Sequence, residues 1–164
     1  MSMGMVIKIF TTGGSIDKTY DTAASDFVVG PPQIETVLRE ANTGLHFAVE
    51  SLLQKDSLAL TDEDRALIVQ RVQREPARHI IITHGTDTMT QTAAGLALLR
   101  DKVIVLTGAM QPAAFKKTDA AFNIGGAVAA VQLLPPGVYI AMSGHIFPWD
   151  QTRKNPSRDQ FEWV

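Results

Sequence analysis

The stretch Thr11-Thr12-Gly13-Gly14-Ser15 carries a hydroxyl in a glycine turn, Gly85-Thr86-Asp87-Thr88 carries a second hydroxyl beside a carboxylate, and Lys154 lies late in the chain. Together they make a set suited to acyl transfer without histidine. Ser and Thr hydroxyls are poor nucleophiles at their ordinary pKa and need a neighbouring base. A lysine serves as that base only while neutral; burial and cationic neighbours favour the neutral form, whereas an ion pair with Asp87 opposes it. The carboxylate then orients or shares a proton. Backbone N–H groups of the Gly13-Gly14-Ser15 turn, or of the Gly85-Thr86 turn, are alternative donors to an oxyanion. Asp87 and Thr88 also have a purely structural reading, as caps for the orphan N–H groups of a following helix.

Other chemistries find less support. Gly13-Gly14 is followed by neither Gly-Lys-Ser/Thr nor a glycine-rich dinucleotide pattern, so a phosphate cradle is a weak reading. His46, His79, His84 and His145 show no close ligand spacing, and there is no cysteine, which excludes thiolate catalysis and cysteine-ligated metals. His84 lies inside the central turn, where its ring is expected to hydrogen-bond the loop backbone. No metal and no cofactor is expected. A net charge of −2 with both signs interspersed argues against nucleic acid or an anionic membrane as partner, leaving a small-molecule substrate. The start of the chain, through Lys8, lacks the pattern of a secretory leader, and a cytoplasmic location is the expectation.

The elements that must position these residues alternate. Val6–Phe10, His46–Leu53, Ile80–Thr83, Val103–Thr107 and Val138–Met142 read as strands, the third and fourth as unbroken β-branched or apolar runs of the kind buried on both faces of a parallel sheet. Helices are expected from Pro31-Pro32 to Ala41, from a Thr61 cap to Glu75, over Thr90–Leu99, and from an Asp119 cap to Leu133. Asp17 to Gly30 reads as a long loop carrying Tyr20 and Phe27, and the chain beyond Ser143 as irregular. The pattern predicts an α/β fold: one open, doubly wound, mainly parallel sheet of flavodoxin or Rossmann type, with helices on both faces, in a single domain over residues 1–164. Ligands in such sheets sit at the carboxyl ends of the strands. Ser15, Ser57, Thr86, Asp87, Gln111 and Lys154 all follow a strand and should share that edge.

Thr12-Gly13-Gly14-Ser15-Ile16 and Ile82-Thr83-His84-Gly85-Thr86-Asp87-Thr88-Met89 resemble the two signature motifs of the bacterial-type L-asparaginases, the asparaginase/glutaminase family. Leu106-Thr107-Gly108-Ala109-Met110-Gln111-Pro112 and the helix containing Phe122-Asn123 are similar to that family too. The likeness spans the amino-terminal domain of the usual enzyme, and the expectation is that the family's carboxy-terminal domain is absent. The resemblance implies hydrolysis of L-asparagine, with L-glutamine as an alternative, to the acid and ammonia through an acyl-enzyme. Ser15 stands where the family has its nucleophilic threonine; Thr86 and Asp87 match the second threonine and its aspartate, and Lys154, next to Arg153, is the candidate for the lysine. Gly14, Tyr20, Asp56, Ser57, Gly85 and Gln111 are implied around the substrate, with Ser57 on its α-carboxylate. Phe27 aligns with the flap tyrosine, and Tyr20 is the nearby hydroxyl. A homodimer or larger assembly is expected, with Phe161 and Trp163 as candidate contacts or core residues. Two alternatives stay open: a non-catalytic amino-acid-binding or regulatory module with a degenerate site, and an amidase for another amide.

Overall fold

The computed structural model describes residues 4–164; residues 1–3, part of the stretch read for a leader, lie outside it. Its centre is a six-stranded sheet built from β1 (Val6–Gly13), β4 (His46–Lys55), β5 (His79–Thr83), β6 (Val103–Thr107), β7 (Gly137–Met142) and β8 (His145–Pro148), in the order β4-β1-β5-β6-β7-β8. The first five are parallel and β8 pairs antiparallel with β7. Counting only the parallel strands, the order is 2-1-3-4-5, a doubly wound sheet whose direction of winding reverses between β1 and β5. The expected fold class is therefore the observed one, with an added antiparallel edge.

Alternation along the unbroken strands explains how helices cover both faces. Ile7, Ile9, Ile81 and Val105 point to the side carrying α1 (Ile34–Glu40) and α4 (Ala120–Leu133), where they meet Ile34, Leu38, Ile124 and Val131. Phe10, Ile80, Ile82, Ile104 and Leu106 point the other way, against Ile68 and Val72 of α2 (Asp62–Arg74) and Met89, Ala93 and Leu96 of α3 (Met89–Leu96). The α2 start carries the cap read from sequence: Thr61 Oγ1 accepts the Asp64 N–H, and the Asp64 carboxylate accepts the Thr61 N–H.

Several elements differ from the sequence reading. The segment from Asp17 to Gly30 is no loop but a β-hairpin, β2 (Lys18–Asp21) with β3 (Asp26–Val29); Asp21 Oδ1 accepts the Ala23 and Ala24 N–H groups and so turns the chain itself. The tail is not irregular either. Ser143 and Gly144 both have positive φ (54° and 81°), the geometry of a tight two-residue hairpin, and return the chain as β8. A second hairpin follows, β9 (Thr152–Asn155) with β10 (Gln160–Trp163), its bend held by Asn155 Oδ1, which accepts from the Ser157 N–H and hydroxyl.

Asp119 occupies the cap position of α4, yet its carboxylate accepts the Met110 and Gln111 N–H groups and an Asn123 side-chain N–H, pinning the preceding loop instead of the helix. Phe161 is buried in the core, whereas Trp163 is half-exposed and packs edge-on against Phe147. No described helix is long and apolar enough to cross a membrane.

Candidate active site

The carboxyl ends of β1, β4 and β5 close on one another at the point where the sheet's winding reverses, and glycine permits it. Gly13 and Gly14 have φ of 104° and 88°, a region costly for any residue with a Cβ. A Cβ on Gly14 would collide with the Gly85 backbone, and one on Gly85 would lie 2.6 Å from Ser57 Cβ. The turn bearing Ser15, the turn bearing Thr86 and the segment bearing Ser57 are therefore in direct backbone contact. Beneath them the register sets Thr11, Thr83 and Thr107 level across three strands. Thr12 Oγ1 donates to Thr83 O at 2.8 Å, and Thr107 Oγ1 donates to Ala141 O at 2.8 Å, tying neighbouring strand ends together.

Thr86, Asp87 and Lys154 meet across this edge. Lys154 Nζ donates to Thr86 Oγ1 and to Asp87 Oδ1, each at 2.8 Å, although 67 residues separate Lys154 from Asp87. Thr86 is buried, the Lys154 side chain is 19% exposed, and that of Asp87 is 40% exposed. Alternation along β9 decides which basic residue enters. Lys154 faces the site, while Arg153 points outward and pairs with Glu162 at 2.9 Å.

The remaining residues fall into distinct places. Ser57 is buried, and its Oγ accepts the Asp87 and Thr88 N–H groups at 3.1 and 3.3 Å, so its single O–H hydrogen is what it has left to offer a ligand. Thr88 sits at the cap position of α3 but makes no side-chain cap; its hydroxyl donates to Ser57 O. Asp56 caps its own turn through the Leu58 N–H and pairs with Lys18 at the base of the hairpin, 3.2 Å away. Burial works to raise the Asp56 carboxyl, and the Leu58 N–H and Lys18 ammonium outweigh it, leaving the group below the usual carboxylate range.

Gly14 is not free to bind an oxyanion through its N–H, which donates to Lys55 O at 2.9 Å; the Ser15 N–H of the same turn and the Gly85-Thr86 turn are the remaining candidate donors. Gln111 is exposed and its N–H is held by Asp119; with Lys117, Thr118, Asn123 and Ser143 it lines a separate groove of about 500 Å³. Tyr20 and Phe27 are directly opposed across the hairpin, their rings edge-on at 5.4 Å, and Phe27 continues onto Phe115 at 5.4 Å. Both rings therefore lie on one face of the hairpin.

His84 has the structural role expected of it. Its Nδ1–H donates to Gly85 O and its Nε2 accepts the Thr92 hydroxyl, both at 2.7 Å, a pairing that fixes the neutral ring. Burial pushes its pKa down to about 4; the Gly85 carbonyl opposes this in part and Arg65 reinforces it.

One group beside the site carries no signal in sequence. Asp17, two residues after Ser15, is buried with a pKa raised to about 7 by that burial, against which only the Gln33 N–H acts. Among the described residues no group of three or more His, Asp or Glu side chains is placed to hold a metal ion.

The family model described as "Asparaginase, N-terminal" matches residues 6–162. The glutaminase-asparaginase of Acinetobacter glutaminasificans is 31% identical over 159 residues, covering 86% of this chain and 47% of that protein. A component of the glutamyl-tRNA(Gln) amidotransferase of Methanococcus vannielii is 30% identical over 152 residues, covering 85% of this chain and 34% of that one. Among solved structures, the thermostable L-asparaginase from Thermococcus kodakarensis superposes with a TM-score of 0.85 at 26% identity, over 98% of this chain and 51% of its own. The probable cytoplasmic L-asparaginase from Campylobacter jejuni gives 0.81 at 27%, over 98% and 53%. The chain thus spans about half the length, or less, of the relatives it matches. With nearly all of it inside one family model and one fold, the chain belongs to the asparaginase family.

Proposed function

We propose that this chain hydrolyses a side-chain amide, converting L-asparagine to L-aspartate and ammonia through an acyl-enzyme on Ser15. One observation carries the reading: Lys154 Nζ bridges Thr86 Oγ1 and Asp87 Oδ1 at 2.8 Å each, on a turn whose Gly85 abuts the Gly14 beside Ser15. When Lys154 is charged it donates to both oxygens. When neutral, it accepts the Thr86 O–H hydrogen, and Thr86 in turn can take the proton of an attacking hydroxyl. The Ser15 oxygen bonds to the amide carbon, the C–N bond breaks, and the returned proton leaves with ammonia. Water then repeats the sequence on the ester and frees Ser15. Asp87 holds Lys154 in register, the Gly85 and Thr86 N–H groups receive the developing oxyanion, and the Ser57 hydroxyl donates to the substrate carboxylate.

The names of the relatives, glutaminase-asparaginase and L-asparaginase, support the same substrate class. L-Glutamine is longer by one methylene, a difference worth only about 1–3 kcal/mol in a pocket, so both amides are to be assayed. With Asp87 40% exposed the site is open on one side, and a homodimer or larger assembly closing it belongs to the proposal. The test is ammonia release from L-asparagine, with L-glutamine and D-asparagine alongside, in the parent chain and in Ser15→Ala. Release that disappears in the variant supports the reading. A folded protein that binds aspartate yet releases nothing overturns it in favour of an amino-acid-binding module.

A further inference from the structure

We infer that Asp17 is a positioning residue, the latch that holds the β2–β3 hairpin and the start of α1 to the turn bearing Ser15. Three segments converge on this one residue. Its N–H donates to Gly14 O at 3.1 Å, closing the 3-10 turn that begins with Ser15. Its carbonyl accepts the Gly30 N–H at 2.9 Å, just past the end of β3. Its Oδ1 accepts the Gln33 N–H at 3.0 Å, at the cap position of α1. The closure is tight, since a Cβ on Gly30 would lie 2.8 Å from Thr19 Oγ1 and 3.5 Å from Asp17 O. The second carboxyl oxygen, Oδ2, is buried with no hydrogen-bond partner in the structure.

A buried carboxyl with one unpaired oxygen tolerates a proton far better than a charge. Among the described residues no cation pairs with it. On the hairpin, Lys18 is engaged by Asp56, while Tyr20, Asp21 and Asp26 make no ion pair with Asp17. On α1, Glu35 is paired with Arg39. On β4, Lys55 pairs with Asp64. The β6–α4 loop packs against this turn through the Ala113 N–H to Ile16 O, and its Lys116 and Lys117 are exposed and make no ion pair with Asp17. The pKa of about 7 agrees with this geometry. Ionisation of Asp17 therefore favours any state in which the carboxylate reaches water; its side-chain contact is with the Gln33 N–H, so the nearest such state lifts the Gln33 segment away and, through Gly30 just before it, loosens the end of the hairpin. The latch holds in acid and weakens toward neutrality.

The test is hydrogen exchange at the Gly30, Gln33 and hairpin amides of the whole chain between pH 5 and pH 7.5, corrected for intrinsic rates, in the parent protein, Asp17→Asn and Asp17→Ala. Latching predicts that protection falls about a hundredfold from pH 5 to 7 in the parent, because opening is favoured tenfold per pH unit between the free and the buried pKa. In both variants this fall disappears. Protection independent of pH in the parent, or a fall of protection with rising pH that survives in a folded variant, overturns the latch.

A kinetic arm rests on the proposed amide hydrolysis: KM for L-asparagine should rise over the same window in the parent and stay flat in Asp17→Asn, with kcat following one pH profile in both. Absence of ammonia release would remove the hydrolase reading and leave the exchange result to decide the latch. A KM that rises equally in both proteins would overturn the latch while leaving the hydrolase reading intact.

Discussion

Replacing Asp17 with Asn should reveal a pH dependence of stability that the parent protein conceals. The carboxyl of Asp17 moves from 3.8 when free to about 7 when folded, so between those values the folded chain binds more protons and stability falls as pH rises. About three pH units at 1.36 kcal/mol each make this a loss of about 4 kcal/mol. His84 runs the opposite way. Its pKa drops from 6.5 to about 4 on folding, so the unfolded chain binds more protons in that window and stability rises with pH, by about 3 kcal/mol. The two nearly cancel between pH 4 and 6.5. Asparagine keeps the oxygen that accepts the Gln33 N–H and leaves its amide unpaired, a cost of about 1–3 kcal/mol that does not vary with pH. The slope, not the absolute stability, is therefore the readout. Urea unfolding from pH 4 to 8 should show the difference between parent and variant changing by about 4 kcal/mol, with the variant gaining stability up to pH 6.5 once the His84 contribution is no longer offset. A difference that stays within about 1 kcal/mol across the range would refute the burial argument for Asp17.

Lys154→Met keeps the stem and removes both 2.8 Å hydrogen bonds; kcat for ammonia release should fall about 10²–10⁴-fold, while the ion pair with the part-exposed Asp87 costs at most about 1 kcal/mol of stability. A variant that keeps more than a tenth of the parent rate would remove Lys154 from the proposed chemistry. Arg153→Ala, one residue away on the outer face, should leave the rate within about twofold, because an exposed ion pair contributes little. Gly14→Ala combines φ of 88° with a collision against the Gly85 backbone, and should lower the melting temperature measurably and abolish release together; a stable, active Gly14→Ala would show that the two turns do not need their close contact. Sedimentation velocity should find a dimer or larger, and an active monomer at assay concentration would count against closure by a second copy.

What was legible in the sequence follows from where each signal originates. Ile80–Ile82 and Val103–Leu106 are apolar at every position because both faces of a parallel strand are covered, so their runs announce themselves without context. The hairpin from Lys18 to Val29 offers no such run. Its residues are mostly exposed or half-buried, and what makes it a hairpin is the bend at Asp21 and the clamp between Gly30 and Asp17. Ser143-Gly144 did carry a turn signal, but a four-residue antiparallel strand after it has too few positions to display alternation.

The same distinction runs through the site. Ser15, Thr86 and Asp87 could be read because each lies in a turn that continues a strand. Lys154 could be placed only by strand alternation in β9, since Arg153 is as basic and adjacent. Asp17 could not be read at all. A lone aspartate after Gly-Gly-Ser-Ile is ordinary in sequence, and its character is created by α1 and the hairpin closing over it from positions 13 to 16 residues away. Chemistry carried by a motif is local and visible, whereas the environment that sets a proton affinity is assembled by the fold. A functional reading that stops at Ser15, Thr86, Asp87 and Lys154 therefore omits a buried carboxyl beside them with a pKa raised to about 7, and it is that group through which pH should act on the hairpin.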